Sequence, residues 1–392
     1  MANSLNQIIE IFKQNYTETP AIFFSPGRLN LIGEHIDYND GFVLPAAINR
    51  GIWIAIQKNN TDVIHCIAAD VQEKLLATTH TIQKQNGWRN YILGVLHVLQ
   101  QDKKTIGGFH CVFGGNLPQG AGLSSSAAIE AGLLFALNKL FQLGYNPIQL
   151  ALFAQLAEHS YAGVECGIMD MFANLFGKNA NAILLDCVTL EYKWVPFALK
   201  DHVVVLINSN VHHSLASGEY NKRRAECNEG LSILSALNKE YYSFRNILPE
   251  EVKANQSVLP DTIFKRCLYV TEEIQRVQKA VQLLKQNNIE AFGELLYQTH
   301  EGLSKLYAVS CPEIDFIVNE ARKYPKVIGA RLMGGGFGGT VLCIMQKKGS
   351  GIIAEDILAG YQQQFNIVAE AYFVQAVRGT HQLLTDIAEQ LY

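Results

Sequence analysis

With 392 residues, the chain is long enough for two or three domains and a full core. Apolar residues make up 48% and charged residues 17%, an ordinary globular composition, and a formal net charge of −4 excludes the overall basic field that would draw nucleic acid. No apolar run approaches the ~20 residues that span a bilayer, and residues 1–7 lack the basic-then-apolar order of a signal peptide.

Leu5, Ile8, Ile9 and Phe12 share one face of a helix predicted over 5–15. A strand over 21–24 leads into a polar segment, Ser25 to Gly41, which the Asp40-Gly41 turn closes. β patterning follows over 42–48, 51–57 and 63–69, then a helix over 88–101 and a strand over 107–113. Helices over 147–162 and 167–176 and strands over 181–186 and 202–208 come next. No Pro/Ser/Gly linker follows, but a domain boundary near 185–200 divides the chain into 1–190 and 191–392. The second half is helix-rich, with helical periodicity over 214–238, 262–286, 289–306 and 312–323. It closes with a strand over 328–331, the cluster Gly334–Gly339, a strand over 340–345, a helix near 352–364 and a strand over 369–374. Strands and helices mix in both halves without an internal repeat, so the fold class is α+β.

The eight cysteines, from Cys66 to Cys343, include no Cys-x-x-Cys pair, and most sit among apolar neighbours. They read as buried thiols in a reducing compartment, hence a cytoplasmic protein without disulfides or a thiolate zinc site.

One stretch organises the chain. Pro118-Gln119-Gly120-Ala121-Gly122-Leu123-Ser124-Ser125-Ser126-Ala127-Ala128 is a glycine turn running into a helix whose apolar spacing lasts through Phe141. Gly120 and Gly122 can take positive φ and bare their N–H groups, while the serines supply caps and hydroxyls. A helix start of this kind suits a phosphate; for the Gly-x-Gly alone, an ordinary capped helix is the competing reading. A Gly-x-x-x-x-Gly-Lys-Ser/Thr loop and the protein-kinase signatures are missing, as are His-Glu-x-x-His and Gly-x-Ser-x-Gly, and Ser125 fills the third glycine position of a dinucleotide fingerprint. A phosphate held here belongs to another nucleotide-binding design.

Pro26-Gly27-Arg28-Leu29-Asn30-Leu31-Ile32-Gly33-Glu34-His35, the 118–128 turn and Gly334–Gly339 stand in the order and spacing of the GHMP small-molecule kinases, which the chain resembles over nearly its whole length. Gly33-Glu34-His35-Ile36-Asp37-Tyr38-Asn39 resembles the galactokinase signature, as do Cys166-Gly167-Ile168-Met169-Asp170 and His213-Ser214-Leu215-Ala216-Ser217-Gly218-Glu219-Tyr220. Ile36 and Met333 stand where threonine is usual. The resemblance implies a two-domain α+β GHMP kinase fold with the active site between the domains. It also implies ATP-dependent phosphorylation of galactose at its C1 hydroxyl, in galactose catabolism.

The resemblance assigns roles as well. Asp170 resembles the catalytic base, and Arg28 the cation that keeps it ionised and offsets charge on the moving phosphoryl group. On their own, Asp170 would read as a helix residue capping its neighbours and Arg28 as half of a surface salt bridge. Glu34, His35, Ile36, Asp37, Gly167 and Tyr220 match sugar-binding positions, and short polar side chains suit a hexose. His35 alone would read as a structural histidine and Tyr220 as a half-buried aromatic. Gly120, Ala121, Gly122, Leu123, Ser124, Ser125 and Ser126 would wrap the ATP phosphates, with Ser126 and Glu158 as ligands of Mg2+; Glu158 alone would read as an exposed helix residue. The Gly334–Gly339 cluster is expected to pack near the phosphate loop without a catalytic role. The partners implied are galactose and ATP, with no nucleic acid and no membrane; the oligomeric state is open, a monomer being compatible. Two other functions share the frame: a related kinase acting on N-acetylgalactosamine, arabinose or another small alcohol, and a non-catalytic sugar sensor. The sensor predicts damage to the serine run or to Asp170, and both are intact.

Overall fold

The computed structural model describes residues 4–118, 122–212 and 216–383. Gly120 and Ala121 of the predicted phosphate loop, and His213, Ser214 and Leu215 of the later motif, lie outside the described residues. Helix α1 (Leu5–Asn15) starts with a reciprocal cap: Gln7 N–H donates to Ser4 Oγ, and Ser4 N–H donates to the Gln7 side chain. Its Leu5, Ile8 and Phe12 are buried, while Ile9 is only partly covered. Strands β1 (Ala21–Asn30), β2 (Phe42–Val43), β3 (Pro45–Lys58), β4 (Val63–Ala68) and β5 (Glu73–Thr78) precede helix α2 (Arg89–Gln101) and strand β6 (Phe109–Gly115). Helices α3 (Ser125–Phe141), α4 (Pro147–Ala157) and α5 (Met169–Phe176) follow, then strands β7 (Asn181–Asp186), β8 (Tyr192–Pro196) and β9 (His202–His212). The second half runs through helices α6 (Ala216–Leu237), α7 (Pro249–Ala254), α8 (Asp261–Lys285), α9 (Ile289–Glu301) and α10 (Pro312–Arg322). It ends with β10 (Val327–Met333), β11 (Gly338–Gln346), α11 (Ser350–Phe365), β12 (Glu370–Val374) and β13 (His381–Leu383).

These elements form the expected α+β arrangement of three sheets, with strand orders β13-β1-β3-β6-β4-β5, β10-β11-β9-β12 and β2-β7-β8. The first sheet has two covered faces because its strands alternate. Ile52, Ile54 and Ile56 of β3 join the core under α3 and α5, while Ala55 joins Ile8 and Phe12 of α1 on the opposite face. In the second half α9 and α10 pack on β10, and α6 and α8 pack on each other.

The structure corrects the strand bounds where they matter most. β1 does not stop at Phe24 but continues to Asn30, carrying Arg28 inside the sheet. Pro26 and Gly27 read as breakers, yet β3 advances four positions, from Ala47 to Gly51, where β1 advances two, from Pro26 to Arg28. That irregularity absorbs the proline and joins the two predicted strands 42–48 and 51–57 into β3 after the short β2. Two predicted helices also end in π-helical turns, Glu158–Ala162 after α4 and Gly302–Leu306 after α9. The edge strands β5, β8 and β13 and the short α7 were not foreseen.

Candidate active site

The register shift beside Gly27 points Arg28 at the first turn of α5. Arg28 is 5% exposed, and its guanidinium grips Asp170 with both arms, Nε to Oδ1 at 2.8 Å and Nη2 to Oδ2 at 3.1 Å. Nη1 donates to Gly122 O at 2.5 Å, tying the pair to the turn before α3. Burial would push the guanidinium pKa down, but the Asp170 and Glu34 carboxylates more than offset it and the net shift is upward. Ser124 donates a short hydrogen bond to Asp170 Oδ2. Ser124 thus occupies the N-cap position of α3 at φ 58° without a side-chain cap, and its hydroxyl serves the carboxylate instead.

The segment after β1 holds the predicted sugar residues. Glu34 is 2% exposed, and its Oε1 accepts from Arg331 Nη2 at 3.1 Å and from Gly334 N–H at 2.8 Å. His35 sits between Gly335 O, 3.1 Å from Nε2, and Tyr38 Oη, 2.6 Å from Nδ1. Burial pushes His35 down to about 4, so the imidazole is neutral; Nε2–H donates to the carbonyl and Nδ1 accepts from the Tyr38 hydroxyl. Tyr38 Oη in turn lies 3.1 Å from Tyr307 Oη, and the Tyr220 ring packs against both His35 and Tyr38, at 5.4 and 5.1 Å between centroids. Burial, with Asp170 and Glu34 nearby, pushes Asp37 up to about 7. A β-carbon on Gly167 would stand 2.1 Å from Asp37 Oδ2, so only glycine lets that carboxylate lie against the backbone. Ile36 differs from these: its side chain is fully buried in the apolar core, and its carbonyl accepts from Asn39 N–H and Gly41 N–H.

On the other side of Asp170, Leu123 is buried and its carbonyl accepts from Arg28 N–H, while Ser125 opens α3. Ser126 hydrogen-bonds to Glu158, the first residue of the π-helical turn, which is buried rather than exposed. Glu158 faces a second buried acid, Glu130 of α3. Among the described residues neither oxygen of Glu130, nor Oε2 of Glu158, meets a hydrogen-bond donor. Burial, together with the Glu158 carboxyl beside it, pushes Glu130 well above the carboxylate range. Among the described residues no three His, Cys, Asp or Glu side chains form a metal cage. A hydroxyl with one or two carboxylates is the smaller, all-oxygen donor set that suits a magnesium ion shared with phosphates.

Arg28, Asp170, Glu34, His35, Asp37, Gly167 and Tyr220 thus converge on one site, with Gly122 to Ser126 and Glu158 along its rim. The glycine cluster lies against the turn before α3, as expected, a β-carbon on Gly334 falling 3.5 Å from Gly122 O. It also does more, since its backbone binds Glu34 and His35. Sequence reasoning missed Arg331, Glu130, Tyr38 and Tyr307. A charged residue inside an apolar run, as in Gly329-Ala330-Arg331-Leu332-Met333 or Ala128-Ile129-Glu130-Ala131, was the available signal for the first two.

Known proteins match along the same residues. The Galactokinase galactose-binding signature covers residues 10–58, the GHMP kinases N terminal domain 90–178, and GHMP kinases C terminal 280–362. The chain is 40% identical over 359 residues to a galactokinase of Thermotoga petrophila, covering 92% of this chain and 99% of the relative. A galactokinase of Clostridium perfringens is 36% identical over 391 residues, covering 97% and 100%. The fold superposes on Lactococcus lactis galactokinase, solved in complex with galactose, with a TM-score of 0.92 and 32% identity over 97% of this chain and all of that one. A mevalonate kinase shares the fold alone, with a TM-score of 0.62 and 19% identity over 91% of this chain and 99% of that one. With a sugar signature spanning Arg28 to Asp37, both GHMP domains and full-length relatives at this identity, the chain belongs to the galactokinase family of the GHMP kinases.

Proposed function

We propose that this protein transfers the γ-phosphoryl group of ATP to the C1 hydroxyl of D-galactose, giving galactose 1-phosphate and ADP. The observation that carries the reading is the buried Arg28–Asp170 fork, set between a cluster of sugar-type polar residues and the turn into α3. In the transfer, the C1 oxygen bonds to the γ-phosphorus as the bond to the ADP oxygen breaks, and the hydroxyl proton passes to an Asp170 oxygen. Arg28 and Ser124 fix that carboxylate by hydrogen bonds from two directions, so its orientation is set before substrate arrives. Arg28 also stays charged throughout and offsets the negative charge of the moving group.

Glu34, Asp37, His35, Gly167 and Tyr220 would bind the sugar, with Ile36 contributing backbone rather than side chain. The turn through Gly122, Leu123, Ser124, Ser125 and Ser126, with Gly120 and Ala121 before it, would hold the ATP phosphates at the start of α3. Ser126 and Glu158 would hold Mg2+, whose charge when bound neutralises phosphate oxygens. The two-domain division at 190/191 and a cytoplasmic location belong to the same reading, the latter in keeping with eight free thiols. ADP release by purified protein with ATP, magnesium and galactose, beside glucose, N-acetylgalactosamine, arabinose and mevalonate, tests it. Turnover led by galactose and lost in Asp170→Asn is the expected result; turnover with another member alone would overturn the sugar assignment.

A further inference from the structure

The loop from Leu31 to Gly41 comes from the first half of the chain, yet side chains of the second half clamp it. Arg331 of β10 has 0% exposure and donates to four acceptors: Leu31 O at 2.8 Å, Leu332 O at 2.5 Å, Asn30 O, and Glu34 Oε1 at 3.1 Å. Gly334 N–H converges on the same Oε1. A few residues away, Glu273 of α8, also at 0% exposure, accepts from Gly33 N–H at 2.8 Å and from Thr299 Oγ1, and it pairs with Arg276. Gly33 is at φ 100°, a conformation that needs glycine and a partner for its N–H. Tyr269 Oη donates to Glu34 O at 2.9 Å.

We propose that Arg331 is a positioning residue for sugar recognition, acting through Glu34. The terminal torsion of a glutamate is broad and roughly two-fold, so an unheld carboxylate presents either oxygen at many angles. Two donors on Oε1 stop that rotation and leave Oε2 as the acceptor offered to a sugar hydroxyl. Burying the glutamate without a cation would be costly, and the guanidinium removes that cost while keeping Glu34 an acceptor. Glu273 is the second clamp, holding the backbone one residue earlier. The proposal rests on the galactokinase reading above.

A double-mutant cycle tests it: Glu34→Gln, Arg331→Met and the pair, with galactose affinity measured by calorimetry without ATP and thermal unfolding recorded beside it. Each single variant is expected to weaken galactose binding on the order of ten- to a hundredfold, the ratio one charge-assisted hydrogen bond carries. The double variant should bind no worse than the weaker single one, while the KM for ATP stays within about threefold. Arg331→Lys, which keeps the charge and loses the fork, enters the same cycle if Arg331→Met does not fold. Losses that multiply, or a melting temperature that falls while galactose affinity holds, would reduce Arg331 to a structural role and overturn the proposal. Wild-type protein that binds no galactose would overturn the galactokinase reading and this proposal with it.

Discussion

Replacing Arg28 by lysine separates charge from orientation at the centre of the site. Arg28 makes three side-chain hydrogen bonds, two to Asp170 and one to Gly122 O. A lysine ammonium keeps the charge but is a compact donor on a flexible stem, able to keep one Asp170 bond and unable to hold the other two contacts. Two charge-assisted hydrogen bonds lost at a buried site cost roughly 1.5–3 kcal/mol each. If about half of that total falls on the transition state, the loss there is about 1.5–3 kcal/mol and kcat falls roughly 10- to 150-fold. The assay is steady-state ADP release across a galactose titration, with thermal unfolding alongside to separate lost orientation from lost fold. A folded variant whose kcat stays within about threefold of wild type would refute the reasoning, because charge alone would then suffice.

Asp37 is pushed up to about 7 by burial and by Asp170 and Glu34, so kcat/KM for galactose should rise with pH through that value as the carboxylate forms. The inflection should vanish in Asp37→Asn, and a wild-type profile without it would contradict the assignment. His35 is pushed from 6.5 down to about 4 by burial. The unfolded chain therefore binds its proton first as pH falls, and stability present above the usual histidine value is lost down to the folded one, by about 3 kcal/mol. Urea unfolding at about pH 7 and about pH 4.5 should show a smaller drop in His35→Gln than in wild type; equal drops would refute the claim. Gly167→Ala puts a methyl 2.1 Å from Asp37 Oδ2 and must displace the carboxylate or the backbone. The KM for galactose should rise on the order of tenfold or more with kcat less affected, and an unchanged KM would show that Asp37 does not touch the sugar.

The long helices α6, α8, α9 and α10 were legible because many turns repeat one periodicity. Arg28, Glu34, Asp37 and Asp170 were singled out for a different reason: they stand in motifs that resemble those of the GHMP kinases, and the structure brings the four together. What was not legible is non-local. Nothing near Pro26-Gly27 announces that β3 will take two extra residues and let β1 run on, and nothing near His381 announces that β13 will return to pair with β1. The Ser124 hydroxyl looks like a cap in sequence and serves Asp170 in space, because the φ of 58° at that residue turns it away from the helix. Arg331 and Glu273 reach the signature loop across separations of 297 and 240 residues, a distance at which spacing carries no information.

The central claim is that Asp170, held by Arg28, directs phosphoryl transfer to one hydroxyl of galactose. Phosphorus and proton NMR of the product mixture tests it most directly, with wild type and Asp170→Asn incubated under the same conditions with ATP, magnesium and galactose. The account predicts a single sugar phosphate carrying its phosphoryl group at C1, formed by wild type and absent with the variant. A product phosphorylated at another hydroxyl, or equal yields from the two proteins, would contradict it.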